Sequence, residues 1–458
     1  MPNFPKIPLE PSAAEWSSLV EEIKQFLNTE LTQLASTPIT SSDAGLDQFT
    51  PTGDLTSWLQ QLFATGFNTS HPGFMGYIPG GGLVTSALAD WIVKTLNRYG
   101  TAHFAAPKLA DLEYKVIQTF AQWVGYDDNA AGVLTTGGSL ANFTALVTAR
   151  RKMLPENFLQ GVLYCSNQAH HSVMKAANLA GFSARNMRIL EADENFKICP
   201  QGLAQQIQAD KNDGLQPFMV IASAGTTNTG NIDPLPEMSA ICKRHRLWFH
   251  VDAAYGGSFV LTQRGRQRLA GMSEADSITL DPHKGLFLPY GTGSILVKDR
   301  NALIEAHEMR GDYMPELDHS RAHLDPFSLS VELSREHRGL KIWLPLMLHG
   351  IEAFETALDE KLDLTQYLMD EIQKIPEIQV LNKAELTTIA FRLRKGSDAQ
   401  NMQLLDTINQ GDKVFISGTT LRGKYALRAS ILGHRTHRIQ IDELLFALRA
   451  AVAPPQMG

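Results

Sequence analysis

Short apolar runs alternate with amphipathic stretches through the middle of this chain. Apolar runs of roughly four to eight residues are typical of buried strands, and apolar residues spaced three or four apart indicate helices. Strands separated by helices favour a mostly parallel sheet covered on both faces, so the pattern predicts an α/β fold. The predicted strands of this sheet span residues 132–135, 161–166, 188–190, 218–223, 247–252, 277–281 and 293–298.

The N-terminal part of the chain has a different pattern. Residues 12–31 carry one apolar stripe, and Ser12 and Glu15 have the spacing of a capping box, so this stretch predicts an amphipathic helix. Residues 70–83 contain too many glycines and prolines for regular structure. We therefore predict a helical N-terminal segment that is joined to the large domain by an irregular stretch.

The pattern changes again after a long helix that is predicted over residues 339–358. Three strand-like runs and a closing helix over residues 438–452 then indicate a small α+β domain. The chain is thus predicted to have an N-terminal helical segment, a large α/β domain and a small C-terminal α+β domain, at residues 1–82, 83–341 and 342–458.

Composition and charge narrow the range of functions. The net charge of −7, without a long basic run, argues against nucleic acid as a partner. The N-terminus lacks the pattern of a signal peptide, and no apolar run is long enough for a membrane helix. The three cysteines, Cys165, Cys199 and Cys242, are far apart and offer no metal site. These features predict a soluble cytoplasmic protein without a membrane partner.

Two charged residues stand at the ends of neighbouring predicted strands. Asp252 ends the run 247–252, and Lys284 follows the run 277–281, directly after a histidine. A lysine amine can form an imine with the aldehyde of pyridoxal 5'-phosphate (PLP), and a carboxylate can keep the pyridine nitrogen of that cofactor protonated. Because ligands bind at the carboxyl ends of the strands in open α/β sheets, this pair predicts a PLP enzyme.

A stretch of small residues follows the first strand of the sheet. In TTGGSLANFTAL (135–146) these residues open a helix, so Gly138 and Ser139 are predicted to bind a phosphate, with Asn142 one turn further on. No GK[ST] follows the glycines, which disfavours nucleotide hydrolysis.

Other residues at strand ends could contact a flat cofactor ring. His170 could stack over such a ring, and Ala254 is small enough to lie flat under it. Thr226 and Thr227 carry hydroxyls for the phenolic oxygen of the cofactor or for a substrate carboxylate. His283 is a candidate partner for the phosphate or for proton transfer.

These motifs, in their order and spacing, resemble those of the group II pyridoxal-dependent amino-acid decarboxylases. That family includes aromatic-L-amino-acid, histidine and glutamate decarboxylases. The resemblance covers nearly the whole chain, and it implies the PLP-dependent transferase fold of type I and PLP as the cofactor. The matching motifs are HPGFMGYIPGG, APKLADLE, TTGGSLAN, NQAHHSV, AGTTNTGNID, HVDAAYGG, DPHKG, LSREHRGLKIW and LRASILGHRT.

The resemblance also implies a role for each matched residue. Lys284 would form the imine with the cofactor and Asp252 would pair with the pyridinium nitrogen. His170 would stack on one face of the ring and Ala254 would lie on the other, with Thr227 near the ring oxygen and the substrate. The implied phosphate contacts are Gly138, Ser139 and His283. Asp281 stands where aromatic decarboxylases carry asparagine, which leaves one phosphate contact open.

Tyr313 bears on the type of reaction. It falls where such decarboxylases carry a loop tyrosine that protonates the substrate carbon after CO2 leaves, and family members with phenylalanine there tend to make aldehydes. The resemblance therefore implies amine formation. The alternatives are a decarboxylation-dependent aldehyde synthase, an aminotransferase in which Arg428 would clamp the α-carboxylate, and a scaffold without activity.

The family builds its substrate pocket partly from a neighbouring subunit. The matching positions here carry no arginine or lysine for an acidic side chain, which favours an aromatic or bulky L-amino acid. The resemblance implies a homodimer with shared active sites, in which the N-terminal helix packs across the partner chain. The implied pocket residues are Tyr77, Ile78, Gly80, His103 and Phe104.

Overall fold

The structure is a computed structural model of the chain, and it describes residues 7–41, 54–308 and 324–453. A seven-stranded sheet forms its centre, in the order β3-β9-β8-β7-β6-β4-β5. Strand β9 runs antiparallel to both of its neighbours, and the other pairings are parallel. The strands are β3 (Ala131–Thr135), β4 (Gly161–Ser166), β5 (Met187–Leu190), β6 (Gln216–Ser223), β7 (Trp248–Asp252), β8 (Ser277–Leu280) and β9 (Gly293–Val297).

Helices cover both faces of this sheet. One hydrophobic cluster lies on each face of the sheet, because successive side chains of a strand point to opposite faces. In β4, Val162 and Tyr164 belong to one cluster, and Leu163 and Cys165 belong to the other. The predicted mostly parallel α/β sheet is therefore confirmed. The helices of this part are α3 (Val84–Leu96), α4 (Pro107–Val124), α5 (Gly138–Met153), α6 (His171–Leu179), α7 (Pro200–Asn212), α8 (Leu235–His245), α9 (Gln263–Arg268), α10 (Pro282–Gly285), α11 (Arg300–His307) and α12 (Gly339–His349).

The C-terminal part forms a four-stranded antiparallel sheet in the order β10-β11-β13-β12, with helices on one face. The three strand-like runs of the sequence all form strands, and the closing helix is found where it is predicted. Strand β10, which has three residues, is not predicted. The elements are α13 (Ile351–Ile372), β10 (Ile378–Val380), β11 (Thr388–Leu393), α14 (Asp398–Asn409), β12 (Ser417–Leu421), β13 (Lys424–Ser430) and α15 (Arg438–Val452).

The prediction of a single helix over residues 339–358 is wrong, because two helices meet there. Helix α12 ends at His349, and Gly350 has φ 75° and ψ 156°, a conformation that breaks the helical hydrogen-bond ladder. Helix α13 then continues to Ile372. Its first half packs in the core of the large sheet and its second half packs under the small sheet, so α13 joins the two parts. The predicted domain boundary between residues 341 and 342 stays a prediction.

The N-terminal segment begins with α1 (Ala13–Gln33), where Ser12 and Glu15 form the predicted capping box. It continues through β1 (Thr40–Ser41), α2 (Leu55–Phe63) and β2 (Gly66–Phe67). Residues 70–83 have no helix or extended strand, as predicted, and they lie between the two sheets: Met75 N–H donates to the carbonyl of Phe415 at 2.8 Å, and Leu83 N–H donates to that of Phe287 at 2.9 Å. In the described part of the chain, no helix combines the length and apolar character needed to cross a bilayer.

Candidate active site

A cavity of about 500 Å³ lies at the carboxyl ends of the parallel strands, beside the start of α5. This is the position where open α/β sheets bind their ligands. The cavity brings together residues that range from Thr136 to Gly291 in the sequence. Every residue that is predicted to contact the cofactor lines it: Gly138, Ser139, His170, Thr227, Asp252, Ala254, His283 and Lys284.

Asp252 is the last residue of β7, and its side chain is held in a fixed orientation. The residue is buried, with 8% of its surface exposed. Its Oδ2 accepts a hydrogen bond from Asn142 Nδ2 at 2.8 Å, and its Oδ1 accepts one from the backbone N–H of Ala254 at 3.2 Å. Two donors thus orient the carboxylate at the cavity wall.

A buried polar network lies behind Asn142. Asn142 Oδ1 accepts hydrogen bonds from Thr279 Oγ1 at 2.7 Å and from His250 Nε2 at 3.1 Å. Burial lowers the pKa of His250 to about 4, so its ring is neutral near pH 7. With Nε2 as donor, its Nδ1 accepts from Ser277 Oγ at 2.8 Å. The network therefore fixes which way the Asn142 amide points, and so holds its Nδ2 toward Asp252.

The same amide also orients His170, which is the N-cap residue of α6. Asn142 Nδ2 donates to Ser172 Oγ at 3.0 Å, and Ser172 Oγ lies 2.8 Å from His170 Nδ1. The backbone N–H of Ser172 also donates to this Nδ1, at 3.3 Å, so the neutral ring carries its proton on Nε2. Burial lowers the pKa of His170, and the negative charge of Asp252 opposes that shift.

The start of α5 forms a cradle whose backbone packs too closely against its neighbours to admit side chains. The N-cap residue of α5 is Gly137, and no side chain of the described residues caps this end of the helix. The first backbone N–H groups therefore remain available to an anion. A Cβ added at Gly138 would lie 2.9 Å from Asp281 Oδ2 and 3.1 Å from the Cβ of Ala254. A Cβ at Gly293 would lie 2.5 Å from the Cα of Gly137. The backbone here suits a phosphate group.

Lys284 lies on the short helix α10, opposite this cradle. Its Nζ is 3.1 Å from Asp281 Oδ2, while Asp281 Oδ1 is buried and has no hydrogen-bond partner among the described residues. His283 Nδ1 lies 2.6 Å from the carbonyl oxygen of Thr292 and donates to it, which leaves Nε2 of the neutral ring without a proton. Burial lowers the pKa of His283. An amine, a carboxylate and an anion cradle thus surround one cavity, and this set fits PLP.

The residues predicted to form the substrate pocket do not line this cavity within one chain. Gly80 is close to it, because a Cβ there would lie 2.9 Å from the ring of Tyr290, a cavity residue. His103 Nε2 lies 3.3 Å from Asp111 Oδ1, and 60% of the surface of Phe104 is exposed. Their role, with that of Tyr77 and Ile78, stays a prediction. Tyr313 lies outside the described residues.

The sequence pattern did not reveal the support for Asp252. The motif places Asn142 one turn beyond the predicted phosphate contacts, and the sequence pattern assigns no role to His250, Ser277 or Thr279. The available signal was that His250 stands two residues before Asp252, on the same face of a strand. Asp281 differs from the asparagine of aromatic decarboxylases, and its spacing from Lys284 allows the ion pair.

Comparisons with known proteins agree with this geometry. The family model of the pyridoxal-dependent decarboxylase conserved domain matches residues 46–394. The aromatic-L-amino-acid decarboxylase of Bacillus atrophaeus is 31% identical over 391 residues, which are 84% of this chain and 82% of that protein. The acidic amino acid decarboxylase GADL1 of Xenopus tropicalis is 32% identical over 332 residues, which are 70% of this chain and 65% of that protein.

A solved structure shows the same fold. The crystal structure of Oryza sativa TDC with PLP and tryptamine matches with a TM-score of 0.91, and the match covers 97% of this chain and 99% of that one. The sequence identity is 21%, so this likeness concerns the fold.

Proposed function

Because this chain belongs to the pyridoxal-dependent decarboxylase family, and is therefore a PLP-dependent amino-acid decarboxylase, we propose that it converts an L-amino acid with an aromatic or bulky side chain to the amine and CO2. One observation carries the choice of substrate. Among the described residues that line the cavity, Lys284 is the only lysine or arginine, and the implied chemistry commits its amine to the cofactor. No second cation of the described lining is therefore available for an acidic side chain.

Different residues of the cavity would bind different parts of the cofactor. The backbone at Gly138 and Ser139 would hold the phosphate, and Lys284 would bind the aldehyde carbon. His283 would add a phosphate contact once its Nε2 is protonated, which the negative charge of a phosphate beside it would favour. Asp252 would hold a proton on the pyridine nitrogen. When bound, PLP supplies a conjugated ring that accepts the electron pair left on the α-carbon when CO2 departs.

An aminotransferase is less well supported by the same geometry. Arg428, which would have to clamp the α-carboxylate, is 3% exposed and does not line the cavity. Its Nη1 lies 3.1 Å from Ser417 Oγ, on the small sheet. A carboxylate held by such a cation would also be poorly placed to leave.

Product analysis tests the proposed reaction. The PLP-saturated protein would be incubated with a panel of L-amino acids, and CO2, amine and aldehyde would be followed by mass spectrometry. We expect amine and CO2 in equal amounts from an aromatic or bulky substrate. Faster turnover of glutamate or aspartate would refute the proposed substrate class. Aldehyde with ammonia would identify an aldehyde synthase, and a keto acid formed only with an added amino acceptor would identify an aminotransferase.

Tyr313→Phe tests the proposed role of the loop tyrosine. Because the phenol would supply a proton to the substrate carbon, its loss should divert the product from amine to aldehyde, with oxygen uptake, and lower amine formation by about 10²-fold. The measurement is the ratio of amine to aldehyde by mass spectrometry. Tyr290→Phe is the matched control, since Tyr290 lines the cavity but is assigned no proton transfer. Unaltered amine formation in Tyr313→Phe would refute the role.

We also propose that the chain forms a homodimer with shared active sites, in the cytoplasm. Helix α3 packs Ala89 and Val93 inward, while its opposite side leaves a stripe of large apolar residues exposed. Exposed apolar surface of this extent favours a protein partner. The exposed stripe consists of Val84, Leu88, Trp91, Ile92 and Leu96. Phe104 follows shortly after this stripe in the sequence. Its position close to the proposed interface supports the proposal that Phe104 reaches the cavity of the partner subunit.

The dimer can be tested with charge substitutions on α3. We expect light scattering after gel filtration to give twice the chain mass of 50.5 kDa for the parent protein. Leu88→Glu with Ile92→Glu should shift the protein to monomers and lower turnover by at least tenfold, since each charge would have to be buried at the interface. Ile439→Glu, at an apolar residue of α15 that is 62% exposed, is the control. A parent monomer that is active at high dilution would contradict the proposal.

A further inference from the structure

A second cavity of about 500 Å³ lies away from the active site, on the open face of the small sheet. Its lining combines apolar residues with a group of cations. Among the described residues that line it there is no aspartate or glutamate, although the whole chain has a net charge of −7. The cationic residues are Arg392, Arg394, Lys395, Arg422 and Lys424. We refer to this site as the basic cleft.

The alternation of the strands places these cations on one face. In β11, Phe391 and Leu393 point into the hydrophobic core under the helices, so Arg392 points to the opposite side with Ala390. In β13, Ala426 packs with Ala390 on that same side, and Lys424 lies two residues before it. The register of the strands therefore places these cations on the same face of the small sheet.

The large domain contributes one wall of the basic cleft. Phe196 lies in a turn of the large domain, between the bridged residues Ala192 and Ile198. The guanidinium carbon of Arg422 lies 4.8 Å from the centre of the Phe196 ring, and its Nη2 donates to the carbonyl of Asp193 at 3.0 Å. Arg422 is thus held at the mouth of the cleft by the Phe196 ring and the backbone of Asp193.

Arg392 is the residue that indicates a ligand. It is 8% exposed, and its Nη2 donates to the carbonyl of Gly396 at 2.7 Å and lies 3.3 Å from Asp398 Oδ1. Its Nη1 is buried and has no hydrogen-bond partner in the described structure. A buried guanidinium N–H without an acceptor is unfavourable. Because the Arg392 side chain lines the cleft, a small rotation of the guanidinium would let an anion there supply the missing acceptor.

We propose that the basic cleft is a second ligand site, which binds a small compound with two or more phosphate charges. Its volume is within the range of small-molecule sites, roughly 300–1,000 Å³. Arginine forks match phosphate oxygens, and the flanking lysines add charge. The rest of the lining consists of Phe196, Gln379, Val380, Leu381, Gly396 and Leu421. This site requires no part of the decarboxylation chemistry.

Calorimetry with pyrophosphate tests the proposal on the PLP-saturated protein, in which the active-site cradle is already occupied. Ionic strength is kept constant with sodium chloride. We expect one pyrophosphate per chain in addition to PLP. Arg392→Gln should weaken binding at least tenfold. The double substitution Lys395→Gln with Lys424→Gln, at two exposed lysines of the cleft, should weaken it to a similar extent.

The matched control is Arg438→Gln on α15, whose side chain is 59% exposed and pairs with Asp442 outside the basic cleft. It removes the same charge and should bind pyrophosphate like the parent. Equal weakening in this control would show a net-charge effect and overturn the site, as would the absence of binding to the parent. Binding of citrate without binding of pyrophosphate would overturn the phosphate class.

Discussion

Replacing Lys284 with alanine will remove the visible absorbance band of bound PLP and lower turnover by roughly 10³-fold or more. Among the described residues that line the cavity, Lys284 carries the only primary amine. Its Nζ lies 3.1 Å from Asp281 Oδ2, within the cavity, and no other lysine of the described lining can take its place. The measurements are the absorbance spectrum after addition of PLP and the initial rate with the preferred substrate.

The control for this prediction is Lys298→Ala. Lys298 follows β9 and donates to the carbonyl of Ser273 at 2.9 Å, outside the cavity. It should keep both the absorbance band and the turnover of the parent. An unchanged band in Lys284→Ala would show that another amine binds the cofactor, and the assignment of Lys284 would be wrong.

Asp252→Asn should have the second largest effect, a loss of roughly 10²–10³-fold in turnover with PLP still bound. The substitution keeps the shape of the side chain and removes the negative charge that would hold the proton on the pyridine nitrogen. It also places an amide against Asn142 Nδ2, which now donates to Asp252 Oδ2 at 2.8 Å. The measurement is the rate at saturating PLP, together with the dissociation constant of PLP.

Two further variants distinguish the effect of the Asp252 charge from the effect of its orientation. Asn142→Ala keeps the charge of Asp252 but removes the group that orients both Asp252 and His170, so we expect a smaller loss of about tenfold. Asp276→Asn is the matched control, because Asp276 Oδ2 accepts from the backbone N–H of Phe249 at 2.7 Å, outside the cavity lining, and asparagine can accept the same bond. If Asp252→Asn turned over substrate at the parent rate, the proposed role of its charge would be refuted.

The order of the elements followed from hydrophobic periodicity. Each of the seven runs predicted as strands of the large sheet forms a strand, and the bounds differ by at most two residues. The capping box of α1 is found as predicted. These features depend on neighbours that are close in the sequence, which explains why they could be predicted.

Two elements show where local pattern was insufficient. Residues 339–358 have a helical apolar pattern that contains one local signal for an end, Gly350. Only the packing of α13 in both cores shows that the chain turns there. Strand β10 is only three residues long, and its pairing with β11 forms it. Both outcomes depend on packing between distant segments.

For this protein, the sequence by itself determined the α/β order, the family, the PLP cofactor and the residue types that meet at the strand ends, because those motifs are local and stand in a fixed order. Only the tertiary structure decided that Asn142 and His250 hold Asp252, that Asp281 pairs with Lys284, and that five cations share the basic cleft. The physical reason is that strand register and buried hydrogen bonds join residues more than a hundred positions apart, such as Asn142 and Asp252, and no periodicity along the chain records those pairings.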